Sequence, residues 1–240
     1  GKTIRVENFP LLWLQGGSGG YYDVYKGDTF LIAGSGCIWG GGASDYAAVT
    51  DINLKEQSLT TEINFLHNFV NLNIIILSLN SITNVDFTRS TQITSITLNS
   101  NLLTNIDLSN NLLLFELFVQ QNNLTSIDLS NNTLLTKLRT WNNQLTSIDL
   151  SNNPNLNLIY LFSNDLTSID ISNNPLLNDA RIHSNKLDNI ENSQFLIDLD
   201  THGLSNGFFQ GSIFGGGALT TAGLAAKNAL LAKGWTIIGL

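Results

Sequence analysis

The chain has one cysteine, Cys37, and no methionine among its 240 residues. A single thiol closes no internal disulfide and supplies no cysteine-based metal site, so packing and hydrogen bonding must hold the fold. Charge is also scarce. Asp, Glu, Lys and Arg together make up 12% of the residues, and 19 acids against 11 Lys and Arg leave a net charge of −8. Phosphate recognition runs on basic side chains displacing counterions, so this balance excludes nucleic acid and disfavours an anionic membrane surface as partners. No apolar run of about 18 residues occurs, so no membrane insertion is expected. The opening Gly1-Lys2-Thr3-Ile4 has no secretory apolar core, and a leading Gly fits either initiator removal or a trimmed precursor.

Catalytic signatures are missing as well. His67, His183 and His202 are far apart and none has a metal-site spacing such as H-E-x-x-H. There is no G-x-S-x-G elbow, and Cys37 has no base near it in the sequence. The glycine-rich stretches carry no G-x-x-x-x-G-K-[ST] and no G-x-G-x-x-G opening a helix. The chain is therefore read as a non-enzyme with no metal and no cofactor.

What is present is a ruler. Asp86, Asp107, Asp128, Asp149 and Asp170 stand 21 residues apart, with Glu191 in the next place. Asn80, Asn101, Asn122, Asn143, Asn164 and Asn185 keep the same step of 21. Around each Asn the apolar residues recur, as in Leu114, Leu117 and Val119 before Asn122 and Leu124, Ile127 and Leu129 after it. Each turn has an apolar edge it cannot bury alone, and stacking the turns fuses these edges into one core. The L-x-L segment is then a short strand of a parallel sheet. An inward Asn column would satisfy backbone groups where the chain leaves the strand. The periodic Asp column has one shared structural role, and Ser151-Asn152-Asn153-Pro154 and its equivalents supply turns on the outer side.

The run Leu145-Thr146-Ser147-Ile148-Asp149-Leu150-Ser151-Asn152-Asn153-Pro154 resembles the 21-residue leucine-rich repeats of bacterial surface proteins, including the internalin-like group. The resemblance covers about half the chain and implies a leucine-rich-repeat solenoid: an α/β-type horseshoe with short parallel strands and little helix. It implies non-enzymatic adhesion or ligand binding outside the cell. The chain departs from internalin relatives with a Cys in each repeat, and it has no evident wall anchor or sorting tail. The Gly-Trp-Thr-Ile ending resembles endings in proteins of Bacteroidetes and their phages.

The flanks differ in character. Residues 1–60 place Gly16–Gly20, Gly34-Ser35-Gly36 and Gly40–Gly42 between β-prone runs such as Tyr21–Tyr25 and Thr29–Ile32, predicting a small glycine-rich β unit. That unit could dock to an assembly. Residues 61–197 are read as the repeats, with a degenerate first turn from about Asn53 to Asn71. Residues 198–240 are read as a C-terminal cap: Thr220 or Thr221 caps a helix over 222–231, Gly234 stops it, and Trp235–Ile238 closes as a strand.

Side chains alternate across a strand, so the residues beside each inward leucine line the concave face. Four places before each Asn stand Ile76, Thr97, Phe118, Arg139, Tyr160 and Arg181; two places before it stand Ser78, Asn99, Gln120, Trp141, Phe162 and His183. The candidate ligand-binding residues are Phe118, Arg139, Trp141, Tyr160, Phe162, Arg181 and His183. Aromatic rings beside Arg suit a sugar ring or a protein loop with an acidic side chain. The sequence thus predicts a recognition module for a cell-surface glycan or protein, extracellular or on a virion: a bacterial adhesin or a phage spike, fibre or decoration. The alternative is a structural assembly protein whose aromatic patch packs subunits, other assembly components or a homo-oligomer.

Overall fold

A computed structural model describes residues 49–56, 59–63, 66, 69–212 and 214–240, together with four strands nearer the N-terminus. The glycine-rich stretches at 16–20 and 40–42, and His67, lie outside the described residues. The four early strands are β1 (Lys2–Arg5), β2 (Tyr21–Tyr25), β3 (Thr29–Ala33) and β4 (Gly36–Trp39). β2, β3 and β4 form an antiparallel sheet of their own, as the β-prone runs predict.

The solenoid is built on one parallel sheet of ten strands. Its regular part is β7 (Ile74–Ile76), β9 (Ser95–Thr97), β10 (Glu116–Phe118), β11 (Lys137–Arg139), β12 (Leu158–Tyr160) and β13 (Asp179–Arg181). Each residue pairs with its equivalent 21 positions on, as Leu117 with Leu138 and Ile159 with Ala180. The sheet extends past the regular repeats at both ends. β5 (Val49–Asn53) and then β1 are added before β7, so the first turn begins with a strand ahead of Asn53. β14 (Phe208–Gln210) and β15 (Thr236–Ile238) are added after β13. Two further strands, β6 (Thr60–Ile63) and β8 (Ser81–Val85), pair separately in parallel.

The core is the leucine column the repeat predicts: Leu114, Leu117, Leu138, Leu145, Leu156 and Ile159 are fully buried. The Asn column lies beside it and works as a ladder. The Asn143 Nδ2 donates to the carbonyls of Thr140 (2.9 Å) and Val119 (3.1 Å), and its Oδ1 accepts from the Leu124 N–H (2.9 Å). Asn101, Asn122, Asn164 and Asn185 repeat the pattern, tying each turn to the previous one. The Asp column also has one role per turn. Asp107, Asp128, Asp149 and Asp170 each accept the N–H two residues on at 2.9 Å, closing the outer turn. That hydrogen bonding to the following Ser lowers the pKa of all four carboxyls.

The sequence reading is corrected at three places. First, the outer Asn-Asn pair is only half a surface turn. The second Asn of each pair (Asn111, Asn132, Asn153, Asn174) is buried and donates to backbone carbonyls of the preceding turn, forming a second ladder on the convex side. Second, Glu191 does not continue the Asp column. Asp188 accepts the N–H groups of Ile190 (2.8 Å) and Glu191 (3.0 Å), which caps a helix, α1 (Asn189–Thr201). Third, Ser78 is buried rather than displayed, with its carbonyl accepting from the Glu56 N–H of the neighbouring turn.

The helix explains the longer last turns. Arg181 and its partner Gln210 are 29 residues apart, and Gln210 and Ile238 are 28 apart, against 21 earlier. The extra residues form α1 and then α2 (Thr221–Ala232), whose N-cap is Thr220 and whose stop is followed by Gly234 at φ +84°. Both helices lie in the convex part of their turns, where the earlier repeats have only tight turns.

The residue before each ladder Asn has a left-handed backbone: Leu79, Ser100, Gln121, Asn142, Ser163 and Ser184, with φ between 55° and 58°. None is glycine, so each carries a steric cost that only glycine escapes. Leu79 is the least suited, being large and 42% exposed. Leu79→Gly is expected to stabilise the protein by about 0.5–1 kcal/mol, as its strain is relieved with little packing lost. Urea denaturation checks this; a destabilised variant would show that Leu79 contributes contacts that outweigh the strain.

Candidate functional site

Each regular strand is three residues long with the middle one buried, and in β9 to β13 its two neighbours are half-buried on the concave face. With every turn in the same register, equivalent side chains stand one above the next at the strand spacing of about 4.8 Å. That spacing suits stacked planar groups.

All seven candidate residues are half-buried on this face, and the structure sorts them into two columns. In the first, cations alternate with rings. The Arg139 guanidinium lies 4.6 Å from the Phe118 ring centre and 5.1 Å from that of Tyr160. Arg181 follows, 4.3 Å from Tyr160 and 4.9 Å from Phe208. In the second column, Trp141 and Phe162 stack at 5.0 Å with a 7° interplanar angle, and Phe162 and His183 at 4.6 Å and 9°. Phe162, Arg139, Tyr160 and Arg181 thus have neighbours on both flat faces. A flat ligand such as a sugar ring finds faces only at the column ends; elsewhere the columns present edges.

Charged groups at the start of β10, β11 and β13 complete the face. Lys137 pairs with Glu116 at 2.7 Å. The Tyr160 hydroxyl donates to Asp179 Oδ2 at 2.7 Å, while Arg181 Nε lies 3.5 Å from Asp179 Oδ1, an ion pair without a hydrogen bond. Burial, then the bond to Asp179, pushes the Tyr160 pKa up. Burial, then the Arg181 charge, pulls the His183 pKa down, so its ring is neutral at neutral pH. Gln120 Oε1, Arg139 Nε and His183 Nδ1 are buried with no hydrogen-bond partner.

Phe208, Glu116, Lys137 and Asp179 were not among the sequence candidates. Phe208 sits outside the 21-residue ruler because α1 lengthens its turn. The other three stand six places before the Asn of their turn, two residues ahead of the columns considered. Among the described residues no group of three or more His, Cys, Asp or Glu side chains is placed to hold a metal ion. No helix among them is long and apolar enough to cross a membrane.

The chain matches no protein-family model and no curated protein sequence. Solved structures do match it. Internalin C2 of Listeria monocytogenes superimposes with a TM-score of 0.64 at 21% identity, over 84% of this chain and 85% of that one. The fold is the leucine-rich-repeat solenoid. A leucine-rich-repeat protein of Leptospira interrogans gives 0.59 at 18% identity, over 82% of this chain, and this chain spans only 56% of it. The internalin InlF of Listeria monocytogenes gives 0.56 at 19% identity, over 82% of this chain and 69% of that one. Such likeness establishes the fold, a leucine-rich-repeat solenoid with 21-residue turns like those of the internalins. The concave columns belong to this chain's own residues.

Proposed function

We propose that this solenoid is a non-catalytic recognition module that binds a protein partner on its concave face, with Trp141, Phe162, Tyr160 and Arg139 at the centre of contact. The observation that carries this reading is the pair of stacked columns. Rings and guanidinium groups are fixed by their neighbours before any partner arrives, so little side-chain entropy remains to be lost on binding. Trp, Tyr and Arg are the residues that dominate binding energy at protein interfaces, and here they stand grouped on one half of the face. Edge-on presentation favours a protein over a face-stacked sugar. The bacterial proteins that share the fold support a surface-exposed adhesin over a virion component.

Panning the intact protein against a displayed library of random linear peptides tests the reading. Binders should be recovered whose affinity falls at least about tenfold for Trp141→Ala or Phe162→Ala, the loss expected of central interface aromatics. Binders indifferent to both substitutions would place recognition elsewhere. If the substitutions instead dissociated an oligomer of the protein, the face would be a subunit contact.

A further inference from the structure

The geometry points to Arg139 as the receptor for a carboxylate of a protein partner, an Asp or Glu side chain that meets the guanidinium edge between Phe118 and Tyr160. The inference deepens the concave-face reading and rests on it.

Arg139 differs from its neighbours in having no counterion. Its two flat faces are taken by Phe118 and Tyr160, at 4.6 and 5.1 Å. Its Nε is buried without a hydrogen-bond partner, and the guanidinium makes no ion pair among the described residues. The nearby acids on the face are already engaged: Glu116 holds Lys137 at 2.7 Å, and Asp179 accepts from the Tyr160 hydroxyl at 2.7 Å and sits beside Arg181. A half-buried cation without an anion is unfavourable, and the flanking rings remove part of its hydration. With Nε buried, what remains for an anion is the outer edge, whose two Nη groups match the two oxygens of a carboxylate. Because the rings hold the plane, the edge is set before binding. Arg181, in the same column, has Asp179 in that role, which singles out Arg139.

The flank of the face indicates the source of the carboxylate. Leu112, Leu113 and Phe115, in the turn leading into β10, are 55%, 40% and 48% exposed, and Leu134 in the next turn is 45% exposed. Leu113 and Leu134 occupy equivalent places in adjacent turns, so the four form one apolar patch where the strands begin. A small anion or an acidic polysaccharide on Arg139 would leave this patch in water. A polypeptide with an acidic residue close to apolar ones covers both, as interfaces with an apolar core and charged contacts do.

The probe is the same displayed library of random linear peptides, panned on the intact protein. Recovered peptides should carry Asp or Glu near apolar residues. Exchanging that acid for its amide should weaken binding about tenfold or more, and Arg139→Gln should weaken the acidic peptide to a similar extent. In Arg139→Gln the acid and amide peptides should bind equally, the signature of direct coupling. Phe115→Ser should weaken both. Unchanged far-UV circular dichroism and melting temperature show that a variant is folded; should Arg139→Gln fail to fold, the acid–amide comparison on the unaltered protein decides alone. Binders that need Trp141 and Phe162 but ignore both Arg139→Gln and the amide exchange would overturn this inference and leave the concave-face reading standing. Binders indifferent to all of these substitutions, or none recovered, would overturn both. Arg139-dependent capture of polygalacturonate with no peptide bound would overturn the protein partner.

Discussion

Asn143→Ala is expected to lower the unfolding free energy by about 3 kcal/mol or more. The side chain is 9% exposed and serves three buried backbone groups: the carbonyls of Val119 and Thr140 and the N–H of Leu124. Alanine leaves the Leu124 N–H without a partner, which costs about 1–3 kcal/mol. It also takes one of two donors from each carbonyl, since Val119 keeps Asn122 Nδ2 and Thr140 keeps Asn164 Nδ2, at about 0.5–1.5 kcal/mol per lost bond. The groups belong to two successive turns, so the substitution loosens a junction of the array as well as one turn. A solenoid's stability is a sum over turns and their contacts, and a central fault divides the stack. Urea denaturation followed by circular dichroism gives the value. Asn152→Ala, at an exposed position of the same repeat, is the control and should change stability by no more than about 0.5 kcal/mol. Equal small losses for the two would mean that water replaces the ladder at no cost.

Gly223→Val should cost about 3 kcal/mol and act on the far end of the molecule. A Cβ at this position in α2 would overlap the Ser193 side chain of α1 and lie 2.8 Å from the Ser193 Cα, so the helices must part. They hold the last turns together: Asn192 donates to the Ser212 carbonyl, the Thr220 N–H donates to Ser193 Oγ, and Phe195 stacks on Phe209. Parting them frees β14, and with it Phe208, the last ring of the cation–π column. Hydrogen exchange should therefore rise over 208–238 while Leu117, Leu138 and Ile159 stay protected, because the end of a solenoid opens before its middle. Ala222→Val, one residue away and exposed, should leave exchange unchanged.

How much of this was legible beforehand follows from where the 21-residue period holds. Within it, the buried Leu and Asn columns, the parallel register and the outward columns of Phe118, Arg139, Tyr160 and Arg181 all follow from counting, since equal spacing forces equal environments. Where the period breaks, counting misleads. Asp188 with Glu191 three residues later is a helix-start signal in its own right, yet Glu191 also fits the Asp column by spacing. The helix formed, because Asp188 could cap it and Phe195, Leu196 and Leu199 could be buried by it. The second Asn ladder was hidden for another reason: Ser-Asn-Asn-Pro is good turn chemistry, and only its place in the coil shows which Asn faces inward.

The sequence by itself determined that the chain coils in 21-residue turns, which residues line the inside of the coil, and which side chains share its concave face, because a strict translational repeat carries those relations in its spacing. The tertiary structure alone decided what those side chains do to one another. Whether Arg139 meets a carboxylate or two rings, and whether Trp141 shows its face or its edge, depends on the distance between turns and on rotamers chosen against neighbours. Those choices fill the ring faces, pair Lys137 with Glu116, bring Phe208 into line across a longer turn, and leave Arg139 without an anion.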